Sequence, residues 1–224
     1  MCFSPEADLA AGVVLGALAI DALRRHPCRS DLPLAALPAV LAAHSLIEAL
    51  VWYAGRGNID EAIGTAATYA YLLIAFVVLP TLVPLAIRLR EPKNSHHRAL
   101  TGLVVLGAVV SSVLFAVLIT NPVTATLETH FVRYHTQIPF AAVIVTGYVI
   151  ATCGPGLLSS ARTIQVFAGL NLVAVGVLAL VNTAGLTSLW CGWAVVTSVA
   201  VVIQIRRDES LREALPEKAI SDQT

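Results

Sequence analysis

The chain has 224 residues, enough for one domain, with 57% hydrophobic and only 12% charged residues. Soluble domains carry about 25% charged residues, so this chain cannot cover a water-facing surface, and lipid is the solvent that tolerates it. The formal net charge is +0, which supplies no basic surface for nucleic acid.

Seven apolar stretches approach or exceed the ~20 helical residues that cross ~30 Å of hydrocarbon. They are 7–23, 33–53, 62–87, 99–119, 137–153, 163–182 and 187–205. The runs are continuous, which favours helices over the alternation of a β-barrel. Ser4-Pro5-Glu6 reads as an N-cap, a first-position proline and a first-turn acid. Arg24-Arg25-His26-Pro27 ends the first helix, and Asp60-Glu61 opens the third. Pro80 and Pro84 fall inside the third run and predict a kink. Glu91-Pro92-Lys93-Asn94 and Gly154-Pro155-Gly156 predict turns. The fifth run is short, so its helix is expected to begin earlier, near Glu128, with Pro139 in its first turns.

The charges set a direction. Arg24, Arg25, Arg29, Arg88, Arg90, Lys93, Arg98, Arg162, Arg206, Arg207, Arg212 and Lys218 fall on one side of the seven runs. Only Arg56 and Arg133 fall on the other. By the positive-inside rule the N-terminus is outside and the C-terminus cytoplasmic. The predicted fold is all-α: a single seven-helix transmembrane domain over 1–205, then a short polar cytoplasmic tail over 206–224, solvated and partly disordered. The first run is expected to be retained as an anchor rather than cleaved as a signal peptide, because its positive cluster follows the apolar stretch. Cys2 and Cys191 fall outside, and an oxidising exterior would allow them to pair. Unpaired thiols acting as small apolar residues are the favoured expectation. Spans 1–3 and 5–7 match a parallel-repeat transporter topology, without sequence support.

Glu48 is the one acid deep inside a run. Such a residue costs a few kcal/mol to insert and is a functional candidate by default. His44 and Glu48 are four apart on one helix face, and Trp52 continues it. Segment 120–136 is exterior and carries Glu128, His130, Tyr134 and His135. Folded over the second helix, it would bring His130 and His135 toward His44 and Glu48, a nitrogen and oxygen set suited to a metal, although a bound metal is the less favoured expectation. Glu48 with a histidine would equally relay protons or hold a small molecule. The plainer reading is a packing contact, with Trp52 and Trp190 as interface anchors. His130 and Tyr134 would share a helical face, and Asn171 and Asn182 would serve as interhelical hydrogen-bond partners.

Met1-Cys2-Phe3-Ser4, with Ala7, resembles the start of a bacterial family of multi-span membrane proteins of unknown function whose members begin this way. Glu48-Ala49-Leu50-Val51-Trp52 is similar to that family's Glu-Gly-x-x-Trp in the second span. His130 with Tyr134 is similar to its His-x-x-x-Tyr, and Trp190-Cys191 to a pair near its last span. The resemblance implies the bacterial cytoplasmic membrane and no known activity. It points to Cys2, Ser4, Glu48, Trp52, His130, Tyr134, Trp190 and Cys191, all in the outer half. Ala49 stands where glycine is usual, and His44 where glutamine is expected, which leans the pocket toward Glu48 and His130.

The expected function is therefore an exterior-facing polar pocket around Glu48, for small-molecule or ion binding or transport, with spans 2, 3, 6 and 7 around it. The alternatives are a membrane-embedded metal-dependent hydrolase and an accessory or structural subunit. The hydrolase has only a loose resemblance to the ceramidase and adiponectin-receptor type, whose late-span histidine pair has no counterpart in spans 6 and 7. Retinal is excluded, since Thr187 to Ile205 contains no lysine. The lipid bilayer is the expected partner, and no phosphate loop or nucleophile elbow is present.

Overall fold

The computed structural model describes residues 4–25, 29–91, 96–181 and 193–221. Among them are seven helices: α1 (Pro5–Arg24), α2 (Leu32–Gly55), α3 (Glu61–Arg90), α4 (His97–Thr120), α5 (Ala141–Leu157), α6 (Arg162–Val181) and α7 (Trp193–Ser221). A hairpin of β1 (Thr124–Leu127) and β2 (Val132–His135) joins α4 to α5. Three helices, α2, α3 and α4, are 24, 30 and 24 residues long and apolar enough to cross a membrane. α1 carries Glu6, Asp8, Asp21 and Arg24 along its length, and α5 is short at 17 residues.

The helix starts follow local chemistry. The Ser4 side chain accepts from the Ala7 amide at 3.3 Å, and Asp60 caps α3 by accepting from Ala62 at 2.8 Å. Each satisfies one amide that the first turn leaves without a carbonyl.

α3 is where the chain departs most from a regular helix. A single π-turn, Ile74–Val78, interrupts it just ahead of Pro80. The Leu79 amide bonds to Ile74 O, five residues back. Ala75 O has then lost its α-helical donor, and the next amide along belongs to Pro80, which has no N–H. The Tyr148 hydroxyl of α5 fills the gap, donating to Ala75 O at 2.8 Å. Two residues on, Ser111 and Thr81 both donate to Val77 O at 3.0 Å. Pro84 in turn cannot serve Pro80 O, and Gly107 of α4 packs directly on that carbonyl. The expected disturbance at Pro80 and Pro84 is thus a break in hydrogen-bond register, repaired by neighbouring helices.

α2, α3, α5, α6 and α7 pack around a common centre, with α1 set against α2 and α7, and α4 against α3 and α5. The polar residues point inward. Asp8, His44, Ser45, Glu48, Thr68, Ser111 and Ser198 are buried, whereas Val13, Val105, Val143 and Val173 are 69, 58, 70 and 65% exposed. Apolar faces of this extent, with the buried polar side chains inside, suit a hydrocarbon solvent and would drive association in water. At the end opposite the hairpin, Asp21 accepts from Arg25 and Arg206, Arg25 also reaches Glu209, and Arg90 pairs with Asp208 at 2.6 Å. The hydrogen bonds from Arg25 to Asp21 and Glu209 raise its guanidinium pKa still further, so the charge is permanent.

Four expectations differ. α5 begins at Ala141 rather than near Glu128, and Pro139 lies in the turn ahead of it, where Phe140 is left-handed at φ 47°. Segment 120–136 forms a hairpin, so His130 and Tyr134 do not sit on a helix; Glu128 and His130 lie at its turn. Gly154-Pro155-Gly156 belongs to the last turn of α5, where Gly156, lacking a Cβ, lets Ala168 of α6 approach. Finally, α7 runs through residue 206 unbroken to Ser221.

Candidate functional site

The face predicted on α2 exists: His44, Ser45, Glu48 and Trp52 are all buried, Glu48 with 0% exposure. The hairpin closes over it. β2 alternates with the strand period, so Val132 and Tyr134 turn toward the helices while His135 turns away. Val132 packs with Trp52 and Ala67. Two residues on, Tyr134 enters a column of stacked rings: His44 lies 3.9 Å from Tyr71, and Tyr71 lies 4.7 Å from Tyr134, at interplanar angles of 18° and 15°. The Tyr134 hydroxyl donates to Glu48 Oε1 at 3.5 Å, a long hydrogen bond across 86 residues of sequence. Tyr71 belongs to α3, so the column ties α2, α3 and the hairpin together around the acid. Offset ring pairs of this kind contribute about 0.5–1.5 kcal/mol each beyond their burial.

The other expected residues fall elsewhere. His130 and His135 are exposed, and His135 Nε2 lies 2.9 Å from Thr126 Oγ1. Glu128 pairs with Arg133 at 3.1 Å. Ser4 acts as the cap of α1. The Arg56 guanidinium lies over the Trp52 ring at 5.6 Å, and Trp52 Nε1 has no hydrogen-bond acceptor among the described residues. Hydrogen bonds from its own backbone amide and from Ser4, with the charge of Arg56 3.5 Å away, hold the exposed Glu6 carboxyl below its usual range. Among the described residues no three His, Cys, Asp or Glu side chains gather where they could hold a metal ion. Cys2, Trp190 and Cys191, with the Cys2–Cys191 pairing and Asn182, lie outside the described residues.

Below the ring column runs a cavity of about 280 Å³. His44, Phe76, Tyr134 and Thr136 line its hairpin end; Leu41, Leu79, Tyr148 and Asn171 its middle; Leu34, Ile164 and Val201 its far end. The expectation of a polar cavity containing Glu48 is corrected here. The walls are mainly aliphatic, His44 contributes to them, and Glu48 is enclosed behind the wall, against Tyr134. The polar middle is engaged with the protein: Asn171 donates to Cys153 Sγ at 3.3 Å, and Thr152 to Tyr148 O at 2.9 Å. Asn171 is thus the interhelical partner expected of it.

Tyr71 and Tyr148 were not singled out by sequence. Their signal was present, since a tyrosine deep inside an apolar run is away from the interface it prefers and needs an internal partner.

The fold and this site define a class: an all-α protein with membrane-capable helices and an apolar cavity that ends on a histidine–tyrosine column beside a buried acid. The model of one protein family, Family of unknown function (DUF6629), matches residues 1–215, and the chain belongs to that family. No curated protein and no solved structure matches the chain.

Proposed function

We propose that this is a seven-span protein of the bacterial cytoplasmic membrane, N-terminus outside, that binds a small molecule in its central cavity. The observation that carries the binding reading is the meeting of the cavity with the His44–Tyr71–Tyr134 column and Glu48 at one end. A packed interior rarely keeps voids larger than a water molecule, and sites for small molecules combine apolar walls with a few convergent polar groups. The membrane placement draws on the lipid-suited outer faces and on the twelve-to-two division of Lys and Arg.

Two measurements test this. Single cysteines at Asn58, in the α2–α3 turn, and at Ser210, on α7, should react with a membrane-impermeant thiol reagent from opposite faces of the cell membrane. Labelling of both from one face sinks the orientation. For binding, protein held in lipid nanodiscs should release a bound small molecule on extraction. Ala200→Phe, which fills the cavity wall, should abolish it. A molecule retained undiminished by a folded Ala200→Phe protein places the site elsewhere.

A further inference from the structure

The walls of the cavity and the place where they open narrow the chemistry of its occupant, an inference that rests on the binding reading above. The polar groups spaced along the wall are engaged with the protein. Tyr134 donates to Glu48 Oε1, Tyr148 to Ala75 O, Thr152 to Tyr148 O and Asn171 to Cys153 Sγ. His44 is stacked on Tyr71. Among the described residues no Lys, Arg, Asp or Glu lines the cavity. A polar ligand group would compete with these bonds, and a charged one would lose its water without gaining a counter-charge. An apolar ligand displaces none of them.

The cavity reaches the surface beside α5. Successive residues of a helix turn by about 100°, so neighbouring directions can be followed around it. On the hairpin-side half of α5, exposure is continuous from Val145, which lines the cavity and is 41% exposed, through Ala142 and Thr146 to Val143 on the outer face. Further along, the seam with α6 is shut: Cys153 is bonded to Asn171, and Gly156 packs on Ala168. The opening therefore faces sideways, onto the apolar faces that suit hydrocarbon.

The walls extend along α2 from Leu34 to His44, about 15 Å at 1.5 Å per residue. An apolar cavity of about 150 Å³ accepts one benzene, so about 280 Å³ accommodates roughly twice as many carbons, on the order of a dozen. An apolar volume of this kind is a poor place for water. Left empty, it deprives the side chains around it of dispersion contacts. In a bilayer the molecules at hand to fill it are lipid tails, which reach a sideways opening without leaving the membrane.

We infer that one acyl tail of a bilayer phospholipid enters the cavity past Val145 and lies along it for about a dozen carbons, its end toward Ile164 and Val201 and its headgroup outside. Lipid solvates a tail about as well as the cavity does, so the width of the cavity, and not its apolarity, decides which tails enter.

The test uses the full chain in phosphatidylcholine nanodiscs doped with a phosphatidylcholine that carries a diazirine at the end of one tail. Lipid around the protein should label Val143 and Val173, which are 70 and 65% exposed. A tail in the cavity should also label Ile164, Ala168 and Val201, which line it and are buried. With the diazirine close to the ester instead, this inner label should move to Val145 and Val149. Ala200→Phe, which narrows the cavity, and Val145→Trp, which narrows its opening, should each remove the inner label and leave the outer one. An inner label that persists in either folded variant, or that does not move with the diazirine, overturns the inference. Outer label alone, with a non-lipid molecule released from wild type but not from Ala200→Phe, overturns the tail and keeps the binding reading. Labelling of Ile164 and Ala168 by free diazirine-bearing dodecane, but not by the phospholipid, does the same. Outer label alone, with neither a released molecule nor a dodecane label, overturns both. Should one variant not fold, the other and the two wild-type label maps decide.

Discussion

Gly107→Ala is expected to destabilise the protein by on the order of 3 kcal/mol, the upper end of the cost of overpacking a filled core. A Cβ at Gly107 would fall on the Pro80 carbonyl oxygen, with the carbonyl carbon 3.0 Å away and Pro84 Cγ at 3.3 Å. The obstacle is backbone, so no flexible side chain can swing aside. Moving α4 away would also strain the Thr81–Ser111 contact at 2.8 Å and the Ser111 bond to Val77 O. The Ser111 bond reaches Val77 O inside the π-turn, so one methyl group disturbs the contact of α4 with the irregular stretch of α3. Gly102, on the same helix, has nothing within 4 Å of an added Cβ. Gly102→Ala should therefore be neutral or stabilise by up to about 1 kcal/mol through helix propensity. Thermal unfolding of both variants in nanodiscs checks the pair, and equal midpoints would refute the close approach.

Glu91→Ala is the second large effect. Glu91 ends α3 and is buried, and its two oxygens accept from Ser159 Oγ at 2.6 Å, from the Ser160 amide at 2.8 Å and from Ser160 Oγ at 2.7 Å. These donors sit just ahead of α6. The carboxylate therefore fastens the end of one helix to the start of another, where the first-turn amides lack carbonyl partners. Hydrogen bonds to charged groups are worth about 1.5–3 kcal/mol each, so Glu91→Ala should cost about 3 kcal/mol or more. Glu91→Gln keeps one acceptor oxygen and should cost less. Trypsin cleavage at Arg162 should quicken in the same order. Ala and Gln variants of equal stability, both within about 0.5 kcal/mol of wild type, would show that the carboxylate does not hold this junction.

The helices were legible because their signals are local. Ser4 and Asp60 cap where their side chains suggest, and the i, i+4 spacing of His44, Glu48 and Trp52 identified the buried face of α2. The hairpin was harder to see. Val132, Arg133, Tyr134 and His135 do alternate, but the strands are only four residues long, and so short a pair needs a surface to pack on. That surface is built from Val51, Trp52, Ala67, Tyr71 and Leu118, contributed by three separate helices. Gly154-Pro155-Gly156 misled for a related reason. Its local preference is for a turn, yet the contact of Gly156 with Ala168 of α6 holds it in the helix.

At the candidate site the same division holds. The depth of Glu48 and the partners on its own helix face follow from the order of residues along α2, since helix geometry repeats every 3.6 residues whatever surrounds it. That Tyr134 rather than His130 meets the acid depends on the register of a hairpin lying across three helices. That Tyr71 stands between His44 and Tyr134, and that an apolar cavity of about 280 Å³ opens beneath them, depends on side chains from distant segments failing to fill one shared volume. Such a volume has no counterpart in any single stretch of chain, because it is a property of how the helices pack and not of any one of them.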